Sequence, residues 1–139
     1  MRNVPLDAGP IIALFTVDDK HHQRYDELVS KLSSEGLRLL TTWPCVVEAS
    51  YLLGFPQRFE MLRWIELGGA VVYPFEPRHL GDIVSWMRRH TTSGKREMDL
   101  ADASLYWLSV ETGTTDIMTT DIHDFSRYRL PNRKQFALM

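Results

Sequence analysis

Short apolar runs alternate along this chain with longer stretches of helical period. Val4 to Leu6 is apolar and ends at Asp7. Ala8-Gly9-Pro10 then turns the chain, Pro10 suits a first helical turn, and Ile11, Ile12, Leu14 and Phe15 continue it. Val17-Asp18-Asp19 breaks the pattern. Tyr25, Leu28, Val29 and Leu32 share one face of a second helix, predicted from His21 to about Ser33 and ended by Glu35-Gly36. Leu37 to Thr41 reads as a second strand, Thr42-Trp43-Pro44 as a helix entry, and Val46 to Leu53 as the helix that stops at Gly54. A further helix is predicted from Pro56 to about Leu67, with Gly68-Gly69 ending it and Ala70 to Phe75 forming a third strand. Pro77 begins a long amphipathic helix through Leu80, Ile83, Val84 and Met87 that finishes in Arg88-Arg89-His90.

A polar loop, Thr91 to Glu97, leads into the stretch Met98 to Phe125. Asp99 and Asp102 open a helix over 99–112, Gly113 turns the chain, a short strand follows, and Asp121 and Asp124 come after it. Beyond Phe125, the basic and aromatic Arg127-Tyr128-Arg129 precedes an edge strand at Gln135 to Leu138. Strands alternating with helices predict a parallel sheet with helices on both faces. In such sheets, sites form beyond the carboxyl ends of the strands, where strand order reverses. Asp7 and Asp121 fall at strand carboxyl ends, and Glu48 and Asp102 fall near helix amino ends on the same edge. Four acids distant in sequence are therefore expected on one rim.

Composition narrows the class. A chain of 139 residues fits one domain, 1–139, with one core. Its 44% apolar and 24% charged residues are ordinary for a soluble globular protein. A net charge of -2 gives no global attraction to nucleic acid, so a polyanion needs a local patch or a metal. Cys45 is the only cysteine, which excludes an intramolecular disulfide and a Cys-based zinc site; it reads as a small packed side chain. The N-terminus lacks a signal peptide and no apolar run has the length of a membrane span, so a cytoplasmic protein without a membrane partner is expected. There is no glycine-rich phosphate loop, and no Ser or Cys has a convincing base partner.

With 18 acids in the chain, only context gives any of them weight. Asp7 has the alternative of capping the helix that follows, a role Asp fills well. Asp99 reads as a cap, favoured by the helix dipole. Asp102, between Ala101 and Ala103 where the helix should pack, reads as a site residue. Asp121 reads as a site residue or a post-strand turn, and Asp124 as a turn residue that orders the loop. Glu48 sits among Val46, Val47, Ala49, Tyr51, Leu52 and Leu53, which implies burial, and a buried carboxylate needs a cation or a donor. Converging carboxylates raise one another's pKa values, and a divalent cation relieves that repulsion. All-oxygen ligands favour Mg²⁺ or Mn²⁺ over zinc, and such a site suits phosphodiester hydrolysis. Arg88, Arg89, His90, Lys95 and Arg96 are candidates to hold a nucleic-acid backbone, or form a solvated helix end. His21 and His22 read as surface residues. Trp43, Trp64, Trp86 and Trp107 read as core or interface residues.

These segments carry a resemblance. LDAGPIIALF at Leu6–Phe15 with His21-His22 following, TTWPCVVEASYLL at Thr41–Leu53, MDLADASL at Met98–Leu105 and TTDIHDF at Thr119–Phe125 together resemble PIN-domain nucleases, specifically VapC-type toxin ribonucleases of type II toxin–antitoxin pairs. The resemblance covers nearly the whole chain. It implies a three-layer α/β/α sandwich with a central, mostly parallel sheet, and Mg²⁺- or Mn²⁺-dependent endoribonuclease activity on RNA. By motif its acid quartet falls on Asp7, Glu48, Asp102 and Asp121, with Asp99 and Asp124 adjacent. Asp7, Asp102 and Asp121 would then hold the metal, and Glu48 would orient water or a second ion. It further implies a homodimer and a small cognate antitoxin, VapB-like, that inserts into the active-site groove. A non-catalytic PIN-like module that binds RNA or protein is the rival reading. An Asp-nucleophile phosphatase or phosphoreceiver fits poorly, because Asp7 is followed by Ala8-Gly9 with no second Asp two residues on.

Overall fold

A computed structural model of the chain describes residues 1–92 and 96–139. Strand β1 (Arg2–Pro5) leads through Asp7 into helix α1 (Ala8–Phe15), and α2 (His22–Ser34) returns the chain to β2 (Leu37–Thr41). Helix α3 (Trp43–Leu52), with Pro44 in its first turn, and α4 (Gln57–Glu66) precede β3 (Val71–Val72). Helices α5 (Leu80–His90) and α6 (Leu100–Thr112) follow, then β4 (Asp116–Ile117) and α7 (Ile122–Arg127). Strands β5 (Arg129–Leu130), β6 (Lys134–Gln135) and β7 (Ala137–Leu138) complete the order. Gly113, at φ 70°, ends α6 in the left-handed conformation that a residue without Cβ takes freely.

β1, β2 and β3 pair in parallel, and so do β4 and β7. A parallel bridge between Leu6 and Met118 joins the two groups, with Asp7 N donating to Met118 O at 3.0 Å and Met118 N to Pro5 O at 2.9 Å. The central sheet thus has the order β3-β2-β1-β4-β7. The chain leaves β1 toward β2 on one side and reaches β4 on the other. The gap between the ends of β1 and β4 is the topological switch point.

Successive strand side chains face opposite ways, and this divides the core. Leu39 and Met118 join Val4, Leu6, Ile11, Tyr25 and Met61 on the face covered by α1, α2 and α4. Leu40 and Ile117 join Ile83, Tyr106, Leu108 and Phe125 on the face covered by α5, α6 and α7. Helix α6 is buried without interruption from Ala103 to Ser109, as a helix enclosed on nearly all sides must be. The result is the α/β/α layering that the alternation of strands and helices predicts. Among the described residues, no helix is long and apolar enough to cross a membrane.

The sequence pattern and the structure differ in four places. β3 is shorter than 70–75, because Tyr73 N still donates to Thr41 O but Pro74 has no N–H to continue the ladder. The helix expected from Pro77 begins as a 3₁₀ turn, Pro77–His79, capped by Glu76. The expected strand at 135–138 is split: β6 pairs antiparallel with β5, whereas β7 pairs parallel with β4. Helix α7 lies where turn residues were expected.

Among the described glycines outside the site, Gly69 carries the tightest packing constraint. A Cβ there would lie 2.0 Å from Nε1 of Trp64, whose ring stands edge-on to Phe15 with centroids 5.4 Å apart. Gly69→Ala is expected to cost about 1–3 kcal/mol, the usual range for overpacking. Urea unfolding measures it, and an unchanged midpoint would contradict this packing.

Candidate metal centre at the switch point

Three of the acids emerge from backbone positions that also start helices. Asp7, next after the β1–Leu6 run, caps α1 with Oδ1 accepting from Ala8 N at 2.8 Å. Asp99 caps α6, accepting from Asp102 N at 2.9 Å. Asp121 caps α7, accepting from Asp124 N at 3.0 Å. Thr119 ties two of these together. Its hydroxyl donates to Asp7 Oδ2 at 2.7 Å and accepts from Asp121 N at 3.0 Å. Behind it, the buried Tyr25 hydroxyl lies 2.9 Å from Thr119 O and 3.0 Å from Met139 O. Thr42 and Ser104, 2.6 Å apart, join the start of α3 to α6.

The result is a cleft of about 230 Å³ lined by Asp7, Glu48, Glu97, Asp99, Asp102, Asp121 and Asp124, with Ala8, Gly9, Ile12, Leu52 and Thr120. Among the described residues no basic side chain lines it. Gly9 lets α1 approach the loop after β4 closely, since a Cβ there would lie 2.2 Å from Thr120 Oγ1. The sequence-predicted acids Asp7, Glu48, Asp102 and Asp121 all line this one cleft. Carboxylate oxygens of Asp102, Asp121 and Asp124 lie within 4.8 Å of one another, so these three side chains could hold a cation; Asp7 is not among them.

The proton affinities record the crowding. Burial, followed by the charges of Asp121 and Asp99, raises the pKa of Asp7 against the opposing bonds from Thr119 and Ala8. Burial also pushes Asp102 up to about 8, with the Tyr128 hydroxyl opposing and Asp99, Asp7 and Asp121 adding. Asp121 is raised by burial and by Asp124, and Glu48 by partial burial and the charges of Asp7 and Asp99. Carboxylates that resist ionisation together are the donor set that a divalent cation relieves, and every donor is oxygen.

Four expectations need correction. Glu48 is exposed, as are Val47, Tyr51 and Leu52 at 64%, 83% and 59%, because the buried face of α3 is Cys45, Val46 and Ala49. Asp124 is no turn residue: it sits in α7 and pairs with Arg127 Nε at 2.9 Å. His90 is buried rather than available to a phosphate. Its Nδ1 lies 2.9 Å from Trp86 O, its Nε2 accepts from Arg129 N at 3.2 Å, and burial lowers its pKa. His22 is half-buried, with Nδ1 2.7 Å from Ala13 O. Arg88, Arg89 and Arg96 are exposed, and Lys95 lies outside the described residues. Sequence reasoning missed Thr119, although the paired Thr before Asp121 lay within a quoted motif. It also missed Glu97 and Tyr128, for which no local pattern gives a signal.

The raised acids set a pH dependence for the metal-free protein. A carboxyl whose folded pKa exceeds its unfolded value stabilises the fold fully below the unfolded pKa, and that stability is lost as pH rises through the folded one. For Asp102 the window runs from the ordinary carboxylate range to about 8, and Asp7, Glu48 and Asp121 share its sign. His90, with a lowered pKa, acts oppositely and loses its contribution as pH falls through its folded value. In chelator, Tm is expected to fall from pH 6 to pH 8.5, less so in Asp102→Asn, and Mg²⁺ is expected to recover it at pH 8.5. A chelator Tm that rises over that interval would refute the assignment.

No protein-family model matches the sequence, and no curated protein matches it. Among solved structures, the chain is similar to Mycobacterium tuberculosis VapC20, described as a Sarcin-Ricin loop cleaving toxin. The TM-score is 0.71 at 17% identity, over 87% of this chain and 92% of that one. At that identity the likeness carries the architecture: the chain has the PIN-like α/β/α fold.

Proposed function

We propose that the chain is a metal-dependent endoribonuclease, a single PIN-like domain over 1–139 acting in the cytoplasm as the toxin of a type II toxin–antitoxin pair. The observation that carries this reading is the convergence of Asp7, Glu48, Asp102 and Asp121 in one acidic cleft at the switch point. Asp7, Asp102 and Asp121 are the proposed ligands, with Asp124 in reach of the same ion, and Glu48 at the exposed rim orients the attacking water or a second ion. A bound Mg²⁺, or Mn²⁺ in its place, supplies polarisation of the phosphate and a more acidic water. Thr119 keeps Asp7 and the Asp121 backbone in one arrangement, and Arg127 pairs with Asp124. The likeness to a toxin that cleaves the sarcin–ricin loop supports RNA as the substrate class.

Two surfaces fit that reading. Arg88 lines a groove of about 460 Å³ with Val84, Met87 and Thr91, and the groove shares Glu97 with the acidic cleft. A nucleic-acid backbone running along it would meet a cation beside the carboxylates. On α3, α4 and their connection, Trp43, Val47, Tyr51, Leu52, Phe55 and Phe59 are each more than half exposed. An apolar row this exposed is the signature of a protein interface, and a second copy of the chain is the proposed occupant. A small VapB-like antitoxin would cover the cleft.

Purified protein is expected to cut structured RNA, a sarcin–ricin-loop fragment among the probes, at few sites with Mg²⁺ and not in chelator. Asp7→Asn is expected to lower the rate about a hundredfold or more while leaving the fold intact, since metal-held charge stabilisation is worth several kcal/mol at tenfold per ~1.4 kcal/mol. Equal cutting in chelator, or by the variant, would sink the nuclease. For the interface, Tyr51→Glu should shift the mass in solution from dimer to monomer by light scattering. A wild-type monomer would dismiss the dimer.

A further inference from the structure

Tyr128 follows α7 and is fully buried, with its hydroxyl 2.5 Å from Asp102 Oδ2. Its ring is fixed on several sides. Phe125 meets it edge-on at 5.1 Å between centroids and His90 at 5.3 Å, and the Arg127 guanidinium lies 4.8 Å over it. His90 is itself held at both ring nitrogens by Trp86 O and Arg129 N. Packing, not rotamer freedom, therefore aims the hydroxyl.

Four of the other acids in the cleft have their own holder, Asp99 taking its bond from Asp102 N. Asp7 is gripped at both oxygens by Ala8 N and Thr119, Asp121 by Asp124 N, and Asp124 by Arg127. For Asp102 that place is taken by Tyr128, and Asp102 Oδ1 takes no hydrogen bond from the described residues. Phenylalanine would fill the same space without a polar atom to satisfy, so the hydroxyl's use lies in its hold on the carboxylate. We propose that Tyr128 is a positioning residue of the metal centre: its hydroxyl fixes Asp102 by one oxygen and leaves the other for the cation. The proposal rests on the metal-centre reading above. Partners of ligating groups tune affinity strongly, and their loss typically weakens metal binding by about 10- to 100-fold.

Calorimetric titration of the full chain with MnCl₂ alone tests it, with wild type, Tyr128→Phe and Asp102→Asn compared. Tyr128→Phe should keep the wild-type circular dichroism and bind Mn²⁺ about tenfold or more weakly. Added to Asp102→Asn, it should change the affinity no further. Binding within twofold of wild type, or a further loss in the double variant, overturns the positioning role. A wild type that binds no Mn²⁺ instead sinks the metal centre itself, so the two failures are told apart. If Tyr128→Phe does not fold, 3-fluorotyrosine at position 128 provides a ¹⁹F signal on the same ring. That signal should move on saturation with Mg²⁺, and a stationary signal overturns the proposal.

Discussion

Mutual repulsion among carboxylates is the constraint to which this architecture answers. Seven acidic side chains line one cleft of about 230 Å³ without a basic neighbour among the described residues. Left free, they would swing apart into solvent. Asp7, Asp102 and Asp121 do not, because rigid backbone delivers them: Asp7 and Asp121 leave adjacent parallel strands at the switch point, and Asp102 lies in the first turn of the most buried helix. Thr119 then locks the two strand ends to each other through one hydroxyl. Burial first, and neighbouring carboxylates after it, raise the pKa values of Asp7, Asp102, Asp121 and Glu48, a cost that the fold holds in place but does not relieve.

Helix dipoles are the first candidate for relief, since α1 and α6 both begin at the cleft under the Asp7 and Asp99 caps. Their magnitude decides against them. A helix terminus contributes about 0.3–1 kcal/mol to an exposed anion and up to ~2 kcal/mol to a partly buried one, whereas the rise of Asp102 to about 8 is several pKa units at ~1.4 kcal/mol each. Backbone N–H donors are likewise already engaged as caps. Relief on that scale needs a group with more charge than any dipole, which the proposed divalent cation would supply.

How much of this was legible follows from the kind of signal each residue carries. The convergence of Asp7, Asp102 and Asp121 on one cleft was readable because strand ends and helix starts leave local marks: an apolar run that stops, a cap, a proline. Glu48 was placed in the site by the same marks, but its burial was misjudged. Apolar neighbours such as Val47, Tyr51 and Leu52 look like core in a sequence, and the pattern cannot separate a face turned to the interior from one turned to solvent. Helix α7 runs only Ile122–Arg127 and buries Phe125 alone, so no periodicity announced it. The bond from Tyr128 to Asp102 spans 26 positions and depends on where α7 ends, which local reading does not reach. His90 looked basic because it follows Arg88-Arg89, whereas its place on α5 turns it inward toward Tyr106 and Tyr128.

For a nuclease, the same acids impose a second requirement. A phosphodiester is negative, the chain carries a net charge of -2, and the cleft alone repels what it would cut. Removing carboxylates would ease the approach of RNA but would loosen the cation that makes chemistry feasible. In the proposed nuclease, cation binding and substrate binding would thus be linked through one set of charges, with the metal serving both. The linkage explains why basic character belongs on the neighbouring groove at Arg88 rather than among the acids, where a lysine or arginine would compete for the carboxylates that the ion needs. Arg127 shows the alternative in miniature: its guanidinium pairs with Asp124 while donating to the His90 carbonyl, and so takes up one acid while leaving the others of the cleft uncompensated among the described residues.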